Sequence, residues 1–166
     1  ESSKQGNVLQ PIIKDLVVMT DTYTVGSFVD VMWDVANATH ISLNGMNVTN
    51  HDSYEYEVKG DEDLILVASN DYMRTQKVVK LAPIPLPKII KFDSSHRKVK
   101  VGDKIAIHID YKNSQRAFLL SNLSEKIDVS TKKVVKVAPK SGEVYTLICY
   151  SIDPKVFITK DLDLTV

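Results

Sequence analysis

The sequence predicts an all-β protein built as two tandem antiparallel β-sandwich domains. Three observations lead there: apolar residues alternate with period two, turn residues recur at short intervals, and the chain repeats itself across a proline-rich connector. Composition sets the frame. The chain has 166 residues, 43% of them hydrophobic and 25% charged, with zero formal net charge. That excludes an unstructured chain, which needs fewer apolar residues and more net charge. The longest unbroken apolar run, Leu64 to Ala68, is far short of the roughly 18 residues of a membrane-spanning helix. A single cysteine, Cys149, excludes an intramolecular disulfide framework and a cysteine-based zinc site.

Residues 1–10 begin Glu1-Ser2-Ser3-Lys4-Gln5-Gly6-Asn7 and are expected to be a disordered or linker segment of a longer chain. In the first copy, Val29, Val31, Trp33 and Val35 point to one face and Asp30, Met32 and Asp34 to the other, the pattern of a half-buried strand. Thr39 to Leu43 reads as a second strand ending at the turn Asn44-Gly45. Tyr54, Tyr56 and Val58 alternate with Glu55, Glu57 and Lys59, which puts both tyrosines in the core. After the turn Lys59-Gly60-Asp61, Leu64 to Ala68 reads as a more deeply buried strand, and Thr75 to Leu81 closes the unit.

The second copy follows at an offset of 76 residues, from Val25-Gly26 to Val101-Gly102, with Asp34 and Asn37 recurring as Asp110 and Asn113. Ile105, Ile107, Ile109 and Tyr111 face in, while Ala106, His108 and Asp110 face out. Lys133 to Val137, the turn Pro139 to Gly142, and Val144 to Tyr150 continue the order, at an offset of 81 by the last of these. Leu162 to Val166 is strand-like. Between the copies, Pro83, Pro85 and Pro87 alternate in a short extended connector. The expected organisation is a first domain over 11–82, a linker over 83–87 and a second domain over 88–166.

The strand Val25-Gly26 through Asn37-Ala38-Thr39, followed by Ile41-Ser42-Leu43-Asn44-Gly45, resembles the immunoglobulin-like (fibronectin III-like) β-sandwich domains of bacterial surface and secreted proteins. Those carry a G-x-x-V-x-L-x-W-x-V-x-N-A strand, an I-x-L-x-G strand and a late Y-T-L-x-A strand, here Tyr145-Thr146-Leu147-Ile148-Cys149. The second copy places Ile109 where the tryptophan would stand. The resemblance implies two tandem Ig-like domains acting as a spacer, or in adhesion and ligand presentation, within a larger bacterial protein at the cell surface, in the periplasm or secreted. It carries over no functional residue.

Chemistry is sparse. The sequence lacks a glycine-rich phosphate loop and the H-E-x-x-H, C-x-x-C and G-x-S-x-G motifs. No catalytic, cofactor-binding or metal residue is assigned, no cofactor is expected, and the protein reads as a non-enzyme. His40, His51, His96 and His108 are scattered, Cys149 falls at an inward strand position, and Trp33 reads as core. Asp61-Glu62-Asp63, with Asp52, offers hard oxygens for calcium but matches no calcium loop and reads as a solvated acidic turn. Arg97, Lys98 and Lys100, and Lys132, Lys133 and Lys136, form two basic stretches. They offer contacts to an anion or a partner, such as a glycan, while lysines alternating with valines also mark a protected edge strand. Nucleic acid is not expected as a partner. Tyr54, Tyr56, Tyr72, Tyr111 and Phe118 are the aromatics to consider for stacking. Asn-x-Ser/Thr sequons stand at Asn37, Asn47 and Asn122.

The zero net charge is a sum of opposites. Residues 1–83 hold six Lys/Arg against twelve Asp/Glu, and residues 84–166 hold fifteen against nine. The plainer reading is two routes to solubility; the alternative is a charge-assisted contact between an acidic first domain and a basic second one, by head-to-tail self-association or close packing across the linker.

Overall fold

In a computed structural model describing residues 9–166, the chain forms two compact units, the first ending at Pro83 and the second spanning Ile84–Val166. Residues 1–8 of the expected lead-in lie outside the described residues. The first unit runs β1 (Ile12–Val18), β2 (Phe28–Ala36), β3 (His40–Leu43), β4 (Met46–Asn47), β5 (Ser53–Glu57), β6 (Glu62–Ser69) and β7 (Arg74–Leu81). The second runs β8 (Lys88–Ser94), β9 (Ile105–Lys112), β10 (Arg116–Ser121), β11 (Ile127–Asp128), β12 (Val134–Val137), β13 (Tyr145–Tyr150) and β14 (Phe157–Asp161). Each unit packs a three-stranded sheet, β1-β2-β5 or β8-β9-β12, against a four-stranded one, β4-β3-β6-β7 or β11-β10-β13-β14. All pairings within these sheets are antiparallel.

Alternation builds each core. Val29, Val31 and Trp33 of β2 meet Leu64 and Leu66 of β6, all at most 5% exposed. In the second unit Ile107 and Ile109 meet Leu119, Leu147 and Cys149. Ile109 takes the position of Trp33 and is as well buried. Trp33 keeps a polar anchor, its indole Nε1–H donating to the His51 carbonyl at 2.9 Å.

The repeat extends to backbone detail. β1 and β8 are both edge strands, and each shifts register at the same place, between Ile13 and Asp15 and between Ile89 and Lys91. A bulge there bends the exposed edge. β2 and β9 both end at an asparagine in the left-handed region, Asn37 (φ 64°) and Asn113 (φ 61°). Asparagine tolerates that conformation better than most residues. Each side chain donates to the carbonyl just before the proline that opens its domain: Asn37 to Gln10 at 3.3 Å, Asn113 to Leu86 at 3.1 Å.

β6 is the more buried strand the sequence predicts: Leu64, Leu66 and Ala68 are fully buried, and Ile65 is 36% exposed because only one face of its sheet is covered. Two expectations need correction. Tyr56 is core, but Tyr54 is 37% exposed. It sits on the edge strand β5, with no neighbouring strand on one flank. Leu162–Val166 is not a strand. β14 ends at Asp161, and Thr165 makes only an isolated parallel bridge to Lys98. Finally, β10 and β14 were not visible as separate strands in the sequence.

Candidate functional site

Those two strands carry the most distinctive surface of the second unit. Pairing sets Phe118 of β10 opposite Ile148, and Arg116 opposite Tyr150 of β13. Tyr150 in turn lies opposite Phe157 of β14. Ala117, Leu119, Leu147 and Cys149 take the inner face, so period two sends Arg116, Phe118, Tyr150 and Phe157 outward. Phe118 and Tyr150 meet edge to face with ring centroids 6.2 Å apart, and Tyr150 and Phe157 are tilted at 5.7 Å. The Arg116 guanidinium lies 5.7 Å from the Phe118 ring and 5.2 Å from the Tyr150 ring, and the Lys126 ammonium lies 4.8 Å over Phe118. The arrangement is a row of three aromatics held by cations, with Phe157 49% exposed. Each ring pair contributes about 0.5–1.5 kcal/mol, and each exposed cation–π contact about 0.5–1 kcal/mol. Asp128 closes the β11 edge opposite Phe118. Hydrogen bonds from Ser130 hold its carboxyl below the usual range.

A second feature is shared by both units. At the turn into β13, the buried Glu143 carboxylate accepts from the Ser121 hydroxyl at 2.5 Å and the Lys140 amide at 2.9 Å. Those hydrogen bonds hold its carboxyl below the usual range, against the opposing effect of burial. Burial and the Glu143 charge push the Tyr145 hydroxyl up to about 12. In the first unit Glu62 accepts from the Tyr56 hydroxyl at 2.5 Å and the Lys59 amide at 2.9 Å. The two glutamates are 81 residues apart, the offset of β6 and β13, and both clamp the turn before that strand. Lys-x-x-Glu, present at both turns, was the sequence signal for it.

The remaining sequence candidates separate. Arg97, Lys98 and Lys100 lie in the loop between β8 and β9, where Arg97 pairs with Asp163 at 3.5 Å with both side chains solvated. Lys132 and Lys133 flank a surface hollow with Asp110 and Tyr111 at the start of β12, and Lys136 stands on β12, an edge strand. Strand order puts the first stretch at the β8–β9 turn and Lys132 and Lys133 toward the opposite end of β9. Glu62 of the acidic turn is committed to Tyr56 and Lys59, and among the described residues no three His, Cys, Asp or Glu side chains are grouped to hold a metal ion. Cys149 is buried, which pushes its thiol up to about 11. Of the sequons, Asn37 and Asn122 spend their amide nitrogens on the Gln10 and Gly142 carbonyls, while Asn47 uses only its oxygen, toward Thr49. Tyr72 is 75% exposed in the β6–β7 turn, and Tyr111 donates to the Ser130 carbonyl at 2.9 Å.

Strand order decides the fold. Both units have seven strands in a three-plus-four sandwich, the short fourth strand pairing with the third rather than the fifth. The protein is a tandem of immunoglobulin-like sandwiches. No family model and no curated protein matches the sequence. Among solved structures the tandem is similar to extracellular domains 3-5 of Drosophila OTK (8% identity, TM-score 0.45, covering 96% of this chain and 62% of that one). It is also similar to immunoglobulin domains 1-5 of Sidekick-1 (11%, 0.36, 95% and 39%) and to a titin Ig tandem (12%, 0.34, 93% and 95%). The tandem thus spans less than two thirds of the OTK and Sidekick-1 chains. Among the described residues no helix is long and apolar enough to cross a membrane.

Proposed function

We propose that this tandem is a non-enzymatic protein-interaction module whose contact surface is the outer face of β10, β13 and β14. One observation carries the reading: Arg116, Phe118, Tyr150 and Phe157 form a continuous aromatic and cationic row on an exposed sheet face. Tyrosine, phenylalanine and arginine are enriched at interfaces, where rigid rings bury area at low entropic cost. The Arg116 and Lys126 cations suit a partner presenting carboxylates around an apolar centre. Phe118 and Tyr150 have cations close over their rings, which favours a protein partner over a stacked sugar. The motif resemblance described above supports a bacterial surface or secreted parent protein, in which the first domain would act as a spacer.

The test is capture of a partner from the source organism by the tandem, compared with a Phe118→Ala, Tyr150→Ser variant. Loss of at least tenfold in affinity, with the fold retained, is expected; unchanged affinity would overturn the assignment. The second reading is an anionic glycan held by Lys132, Lys133 and Lys136, favoured by their exposure at and beside an edge strand. Binding of a sulfated polysaccharide that survives exchange of all three for alanine would remove it.

A further inference from the structure

The outer face of the first unit's three-stranded sheet is acidic and apolar. Pairing sets Asp15 opposite Asp34, Asp30 opposite Glu55, and Phe28 opposite Glu57. Like charges directly opposite destabilise a sheet. Among the described residues the one ion pair joins Arg97 to Asp163, so none of these five carboxylates has a cation in reach. Val17, Met19, Phe28 and Met32 stand on the same face, 36%, 55%, 56% and 44% exposed. Part of it is a hollow lined by Asp15, Val17, Met19, Met32, Trp33 and Asp34. Single exposed apolar residues are ordinary; four of them on one sheet face, ringed by unpaired carboxylates, form a patch.

The matching face of the second unit has the opposite sign. The Asp15–Asp34 pair becomes Lys91–Asp110, and Asp30–Glu55 becomes Ala106–Lys136. Ile12–Ala36 becomes Lys88–Lys112. Four lysines thus stand against Asp93 and Asp110, and Ile90 and Val134 supply exposed apolar surface, 55% and 49%. Both faces are exposed, both have an apolar component, and their charges are complementary.

We propose that the β1-β2-β5 face of one molecule docks on the β8-β9-β12 face of a second copy. The carboxylates that face one another across the first unit's sheet then meet the lysine-rich face of the second unit across the interface, around Met19, Phe28 and Met32. Because the two surfaces differ, the contact is heterologous, and repetition makes head-to-tail chains or closed rings. The contact uses the three-stranded sheets and is independent of the aromatic row on β10, β13 and β14.

Sedimentation of the full chain over a concentration series tests it at about 10 mM and about 1 M salt, where screening lengths are about 30 Å and about 3 Å. The expected result is mass rising with concentration at low salt and a monomer at high salt. The first-unit reversal Asp30→Lys, Glu55→Lys and the second-unit reversal Lys91→Glu, Lys136→Glu should each be monomeric and fold normally by circular dichroism. An equimolar mixture of the two should associate again, because each variant still offers one native face to the other. The Phe118→Ala, Tyr150→Ser variant should assemble like the parent. A monomer under every condition, assembly indifferent to salt and charge reversal, a mixture that stays monomeric, or assembly lost with the aromatic variant would each overturn the proposal.

Discussion

The two domains share a topology, a bulge, an asparagine cap and a glutamate clamp, yet their surfaces differ. Where β10, β13 and β14 present Arg116, Phe118, Tyr150 and Phe157, the matching register positions of β3, β6 and β7 hold His40, Ser42, Ser69 and Arg74. On the three-stranded sheets, the positions of Asp15 and Glu55 in the first unit are held by Lys91 and Lys136 in the second. Inward positions are held to similar sizes by close packing, whereas outward positions have only water to satisfy. The difference teaches that the fold is written on one face of each strand and the specificity on the other.

The first way to break that comparison is in the cores. Leu66 and Leu147 are equivalent and fully buried. Leu66→Ala and Leu147→Ala should each cost about 2–5 kcal/mol. Each unit carries its own reporter. Trp33, the single tryptophan, is buried in the first unit, and Cys149, the single cysteine, in the second. Leu66→Ala should shift the tryptophan fluorescence transition, and Leu147→Ala the denaturant concentration at which Cys149 becomes alkylated. If either change moved both reporters equally, the two sandwiches would be one cooperative unit.

The glutamate clamps come next. Glu143 is buried, whereas Glu62 is partly open. Glu143→Ala strands the Ser121 hydroxyl and the Lys140 amide and should cost about 2–4 kcal/mol. Glu62→Ala should cost about half as much, since water reaches its partners. Equal losses in thermal melts would show that burial does not separate the two corners.

The pH response is subtler. Both clamp carboxyls are held below their ordinary value, so their contribution is present above about pH 4.5 and is lost as pH falls through the lower folded value. At alkaline pH the sign reverses. Tyr145, raised from 10.0 to about 12, and Cys149, raised from 9.0 to about 11, favour the folded state while protonated. Their contribution is intact below pH 9 and declines up to about pH 12 as the unfolded chain ionises first. Cys149 alkylation should therefore need unfolding at neutral pH, and the second unit should loosen across that alkaline range. Rapid labelling of the native protein at pH 7 would contradict the burial of Cys149. The aromatic row closes the series. Phe118→Ala removes one ring pair and two exposed cation–π contacts and should cost about 1–2 kcal/mol in thermal melts, because the ring touches its neighbours from outside the core.

Much of this was legible in the sequence. Period-two runs such as Val29-Asp30-Val31-Met32-Trp33 declare which side chains go inside, and the recurrence of Val-Gly, Asp34 and Asn37 declares a second copy. Cys149 was readable as buried because it aligns with Ala68. Leu64 to Ala68 declared a more buried strand, although an unbroken apolar run does not show that Ile65 and Val67 lie on the open face. Tyr54 misled because alternation assigns a face but not whether the edge of a sheet is covered. The aromatic row was missed apart from Phe118, which stood only among the aromatics to consider. Its members come from three segments separated by up to 39 residues, Phe118 to Phe157.

Local pattern alone thus determined the strand faces, the repeat and the opposite charges of its halves, since alternation and composition are properties of neighbours along the chain. Only tertiary structure decided that Phe118, Tyr150 and Phe157 form one row, that Asp15 faces Asp34 unpaired, and that Glu62 and Glu143 clamp equivalent turns. Those facts depend on strand register, and register is fixed by which residues the opposite sheet will bury, not by any segment alone.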